Sequence, residues 1–446
     1  MSSGRRAPAD PYVPGHGDES YGVDRYDISL TYRPSSNRLD AEATIDVTLR
    51  TPCRELGFDL AGLTVRKVRI EGRRSAKYTQ HRAGQKVVVG LPETGRAGDC
   101  VRVVIAYSGS PAPIRSTWGD VGWDELQAGA LVAGQPNGAP SWFPCNDRPS
   151  DKATYRIAVT TDTPFTALAN GVLVERRTAA STTTWVYEQD EPMATYLATV
   201  QIGQYEIREL RGSAVRQRVA RSPRVADAVA GDLARQDEMM ACFTGLFGQY
   251  PFRCYTVVVT DDPLEIPLEA QAMSIFGSNH LAGRGDHERL VAHELAHQWF
   301  GNSLTVARWS DIWLNEGFAC YAEWLWSEAS GEADAQTHAD REWTRLHRRP
   351  KDLLLADPGP ADMFDDRVYK RGALTLHALR TLLGDDAFFA MLQTWVADHR
   401  HGSVATADFV DLATATAGEP ARDLLTAWLF DRSLPARPGA RPRRRS

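Results

Sequence analysis

The sequence predicts an α+β protein in which an all-β N-terminal domain, sandwich- or saddle-like, is followed by an α-rich domain. Three observations carry this. Period-two alternation with β-branched enrichment dominates from Tyr21 to about Tyr205, helical spacing takes over near Arg221, and 446 residues suit two to three domains at about 150 residues each.

The β part is read from YDISLTY (26–32), ATIDVTL (43–49), KVVVGL (86–91), VRVVIAY (101–107), TYRIAVTT (154–161) and TYLATVQI (195–202), with turn clusters such as RPSSN and GSPAP between them. Residues 225–248 carry helical spacing and 250–262 supply a strand. Helical patterns then occupy 286–301, 311–329, 333–349, 366–383, 385–399 and 420–431. The expected domains are 21–210 and 211–433. Residues 1–20, rich in Gly, Pro and charge, are expected to be a poorly ordered arm, and 434–446 a disordered basic tail.

A hydrophobic fraction of 43% and a charged fraction of 24% are those of an ordinary globular protein, and a net charge of −6 gives no reason to expect nucleic acid as a partner. No run of about 18 apolar residues offers a membrane span, and the polar N-terminus lacks the apolar stretch of a signal peptide. Six cysteines without CxxC spacing read as reduced thiols, so the expected location is the cytoplasm. Oligomeric state is not legible.

The chemistry concentrates in RLVAHELAHQWFGN. His293-Glu294-x-x-His297 places two imidazoles one helical turn apart on the same face, so both reach one ion, while Glu294 points to a neighbouring sector. A catalytic zinc needs a third protein ligand and a water. Glu316, in WLNEGFACYAEW with eighteen residues between it and His297, is the candidate on a second, antiparallel helix. Glu323, two turns further along, is expected to accept a hydrogen bond from a ligating imidazole. His280, His287 and His338 fall outside this spacing and are expected at the surface.

These segments resemble the gluzincin aminopeptidases of the aminopeptidase N type. The strongest block is VAHELAHQWFGNSLTVARWSDIWLNEGFACYAEW. SWFPCNDRPSDKATYRIAV, ALANGVLV, PMATYLATVQIGQYEI and YPFRCYTVVVTDD follow the family order, so the likeness runs from about Tyr21 to about Phe430. The resemblance implies a thermolysin-like catalytic domain, one zinc ion per chain, and peptide substrates with a free N-terminus. It assigns Glu269, in PLEAQAM, and Gln135 to the substrate's α-ammonium group, a wall that admits about one residue before the scissile bond. It assigns Tyr369, at a Y-x-K-G-like helix start, to the oxyanion. Three departures stand out. Ile266-Pro267 replaces a Gly-Ala pair and removes a backbone donor. Arg371 replaces a lysine. The chain ends about where the catalytic domain is expected to end, without the family's helical C-terminal domain.

The implied activity is removal of N-terminal residues by zinc-activated water, with Glu294 as general base and a role in peptide catabolism. The alternatives are a zinc endopeptidase, an epoxide hydrolase of the same family, or a catalytically silent scaffold. The last would have lost a ligand, the base or the tyrosine, and all are present.

Overall fold

The computed structural model describes residues 10–439 except 72–74, 82–84, 211–213, 282, 284 and 286. Compactness divides the chain into two units, and not at 210/211. One runs up to Ala226 and includes Phe252–His280; the other joins Asp227–Pro251 to the residues from Leu281 onward.

The first unit is built on a seven-stranded sheet in the order Val172–Ala179, Thr182–Met193, Ala153–Asp162, Tyr21–Arg33, Arg38–Leu49, Cys100–Gly109 and Thr64–Ile70. Alternation does what the pleat requires: Ala43, Ile45, Val47 and Leu49 are buried, and the residues between them are half-exposed. Tyr21–Arg33 and Ala153–Asp162 pair in parallel with Tyr26 opposite Tyr155. Those two rings stack at 4.9 Å, and Phe143 meets Tyr26 edge-on at 5.3 Å. Burying such a ring contributes about 1.5–3 kcal/mol.

A separate five-stranded sheet explains the unit boundary. Arg216–Arg221, Cys254–Val259 and Met273–Phe276 lie parallel, with Glu206–Leu210 and Leu268–Ala270 as antiparallel edges. Ladder hydrogen bonds therefore tie 252–280 to the β-rich unit. One expected strand is corrected: in 195–202, Thr195–Leu197 form a 3-10 turn and only Val200–Gly203 is extended.

Apart from Ala226, the second unit holds nine helices among the described residues: α1 Ala226–Asp232, α2 Gln236–Phe247, α3 Glu288–Ala296, α4 Trp313–Ser330, α5 Ala335–His347, α6 Asp366–Leu383, α7 Asp385–Asp398, α8 Thr406–Ala417 and α9 Glu419–Phe430. The periodicity reading missed α8. Yet its Phe409 lies at the centre of an aromatic cluster with Trp313, Phe318 and Trp395, at 5.7, 5.4 and 5.4 Å.

Both termini depart from expectation. Residues 10–20 of the supposed arm are packed, with Tyr12 and Val13 buried. At the other end Trp343 Nε1 donates to Pro435 O (2.9 Å) and Gln336 Nε2 to Pro438 O (3.0 Å), so the start of the basic tail lies along α5. Residues 1–9 and 440–446 lie outside the described residues.

Candidate active site

α3 is short and follows a loop pinned by a buried carboxylate. Asp232, at the end of α1, accepts from the backbone N–H of Gly283 and of Gly285, each at 2.7 Å. α4 is buried along Trp313–Ser327 and ends at Gly331, whose φ of 79° is the left-handed cap that glycine adopts freely. α3 contributes His293 and Glu294, His297 caps its end, and α4 contributes Glu316 and Glu323.

His293, His297 and Glu316 are buried, with one ligand atom from each lying within 4.8 Å of the other two. Both Nε2 atoms stand 3.5 Å from Glu316 Oε2. The Nδ1 atoms are engaged elsewhere. That of His293 donates to Glu323 Oε1 (2.8 Å), and that of His297 to Phe300 O (3.0 Å). These bonds fix both rings so that their Nε2 atoms turn toward Glu316, where a bound metal would draw on the Nε2 lone pairs. Two imidazoles and one carboxylate around a common point fit a catalytic zinc with one position left for water. Glu294 is buried beside them at 4% exposure.

The electrostatics are those of a charged cluster. Burial alone would lower His293, but hydrogen bonds to Glu316 and Glu323 more than offset it and push it up to about 9. Burial alone would raise both carboxylates; instead Glu316 is held low by His297 and His293, and Glu323 by His293 and Lys370.

α6 begins at Asp365, whose side chain accepts from the Arg367 N–H (2.8 Å), with Asp366 in the first turn where the helix dipole favours a negative charge. This start places Tyr369 with its ring near-parallel to that of His293, centroids 6.1 Å apart. Two glycines set the spacing of α4 and α6. A Cβ on Gly317 would lie 2.8 Å from Gly372 Cα, and one on Gly372 would lie 2.6 Å from Gly317 Cα. Since Gly317 adjoins Glu316 and Gly372 lies one turn from Tyr369, Gly317→Ala should lower stability by roughly 1–3 kcal/mol. It should also reduce turnover, as read by thermal unfolding alongside steady-state kinetics.

In the β-rich unit, Gln135 Nε2 donates to Glu269 Oε1 at 2.5 Å, which pairs two residues 134 positions apart that the family resemblance assigns to one subsite. Glu269 lies on Leu268–Ala270, which turns tightly through Gln271 and Ala272 into Met273–Phe276. Ala272 has φ of 61°, a left-handed conformation that costs an L-residue about 1–2 kcal/mol. The buried Gln271 secures the turn by donating to Glu191 O and Pro192 O.

With this geometry in place, the comparisons with known proteins are specific. The Peptidase M1 N-terminal domain matches residues 23–197 and the Peptidase family M1 domain residues 233–428. An M1 zinc metallopeptidase from Deinococcus radiodurans superimposes with a TM-score of 0.90 at 30% identity, covering 97% of this chain and 99% of that one. The chain belongs to peptidase family M1. A mutant of the Deinococcus M1 enzyme has been solved bound to a Tyr-Ser-Ala substrate, and it matches with a TM-score of 0.89 at 30% identity over 97% of this chain and 99% of its own. Aminopeptidase M1-B of Oryza sativa subsp. japonica is 25% identical over 92% of this chain and 50% of its own length. Human aminopeptidase B is 27% identical over 80% and 57%. The matches span between 34% and 57% of the length of the curated M1 relatives.

Several features of this M1 chain were not legible in its sequence. Glu323 is bracketed by Arg289 Nη1 at 3.4 Å and Lys370 Nζ at 3.9 Å, and neither residue stood out beforehand. Arg371 is a helix cap: its guanidinium donates to the carbonyl of Trp428 in the last turn of α9 and to those of Asp431, Arg432 and Ser433 just past it. Met273 packs in a core cluster with Leu168, Tyr205, Ala220 and Val258. His280 is buried, against expectation, with its Nδ1 accepting from Gly277 N–H. His287 and His338 are half-buried, the latter with its ring near-parallel to Trp324.

Proposed function

We propose that this M1 chain is a zinc-dependent aminopeptidase releasing the N-terminal residue of peptides. The observation that supports it best is the buried His293–His297–Glu316 group, with both Nδ1 atoms engaged and both Nε2 atoms facing the carboxylate.

Zinc held by these three residues would lower the pKa of a bound water toward roughly 7 and polarise the scissile carbonyl. The remaining work belongs to the protein. Glu294 takes the proton of the attacking water and delivers it to the leaving amine. The Tyr369 phenol donates to the developing oxyanion. Glu323 keeps His293 in the tautomer that presents Nε2. Gln135 and Glu269 hold the α-ammonium group, Glu269 supplying the negative charge that a free amino terminus seeks. A carboxylate already accepting one amide hydrogen bond is fixed in direction before substrate arrives.

Removing that charge is the direct check. Glu269→Gln should lower kcat/KM for aminoacyl-arylamides by about 10- to 100-fold, the worth of a charged hydrogen bond, with zinc content unchanged. An unaltered kcat/KM would take Glu269 out of the subsite. All six cysteines are free, and among the described residues no helix is long and apolar enough to cross a membrane. The free thiols support placing the enzyme in the cytoplasm, acting in peptide catabolism.

A further inference from the structure

The arm formed by residues 10–20 enters the buried polar centre of the β-rich unit. Gly17 N–H donates to Asp59 Oδ2 (2.8 Å), while Lys86 Nζ pairs with Asp59 Oδ1 (2.5 Å) and donates to Gly17 O (3.2 Å). His16 Nδ1 donates to Asp147 Oδ2 (2.9 Å), and the other oxygen of Asp147 accepts from Thr195 Oγ1 (2.7 Å). Asp147 N–H in turn donates to Asp59 Oδ2 (3.1 Å). Two buried carboxylates are thus engaged by one lysine and by one imidazole N–H, the latter brought in by the arm.

The free edge of that imidazole reaches the loop carrying Gln135. His16 Nε2 lies 3.3 Å from Asn137 Nδ2. The loop from Gly134 to Gly138 has little room to move: Gly138 N–H closes it onto Gly134 O (2.7 Å). A Cβ on Gly134 would meet Tyr196 O at 2.4 Å, and one on Gly138 would meet Gly122 N at 2.5 Å. In so tight a loop, the position of Asn137 constrains Gln135 two residues away, and Gln135 donates to Glu269.

We propose that His16 is a positioning residue for the α-ammonium subsite: held by Asp147, it fixes the Asn137 end of the loop so that Gln135 meets Glu269. The inference rests on the reading that Gln135 and Glu269 bind the substrate's amino terminus.

Steady-state kinetics of the zinc-loaded full chain on an aminoacyl-arylamide test it as a double-mutant cycle. Gln135→Ala should raise KM. His16→Ala should raise KM about tenfold, near the worth of one hydrogen bond, with kcat within about twofold. In the Gln135→Ala background it should add nothing further, because both changes act through one loop. His16→Asn, which keeps a donor toward Asp147 but loses the reach to Asn137, should unfold like the parent and still show the raised KM. An unchanged KM in His16→Asn, or effects of His16 and Gln135 that add in full, would overturn the proposal while leaving the subsite reading intact. An unchanged KM in Gln135→Ala would remove the subsite reading itself and the proposal with it.

Discussion

Glu294→Gln should bind zinc as the parent does and lose hydrolysis of aminoacyl-arylamides by about 10³-fold or more. The substitution is nearly isosteric at a buried position, and residue 294 is not among the three that group around the metal position. Packing and metal content should therefore survive. A glutamine cannot accept a proton at neutral pH, so both transfers assigned to this residue fail together, and general acid–base catalysis alone is worth about 10²–10⁴-fold. Metal analysis and kinetics on the same preparation check this. Full activity at full zinc content would remove Glu294 from the mechanism.

Tyr369→Phe should lower kcat by about 10²–10³-fold with little change in KM, the usual cost of deleting one oxyanion donor. The ring itself is retained, so its near-parallel packing beside His293 should persist and zinc affinity should hold. The split between kcat and KM is informative. A tyrosine that served only as packing would tolerate phenylalanine, whereas an oxyanion donor is needed only in the transition state.

Legibility followed sequence distance. His293, Glu294 and His297 were readable because one helical turn brings them together whatever the rest of the chain does. Glu316 and Glu323 needed only the further guess of a second helix, which α4 supplies. Gln135 and Glu269 carry no local signal. They were found through resemblance to a family, and their contact spans 134 residues. The strands were legible where one face is buried and the other is not. Reading failed at 195–202, where alternating residues enter a 3-10 turn, and at α8, whose Thr- and Ala-rich sequence has a weak apolar stripe around Phe409. The N-terminal arm was misread for a related reason. Gly, Pro and charge look disordered in composition, and nothing local reveals that Asp59, Lys86 and Asp147 wait to pair with its backbone and His16.

A zinc centre joined to recognition of a free amino terminus makes two demands, and one paired assay reaches both. Hydrolysis of an aminoacyl-arylamide and of its N-acetylated counterpart would be followed before chelation, after it, and after zinc is restored. The free substrate should be cleaved, lose its turnover on chelation and regain it with zinc, while the acetylated one stays intact throughout. Cleavage of the acetylated substrate at a comparable rate would rule out recognition of a free amino terminus, and turnover that survives chelation would rule out a zinc-dependent mechanism.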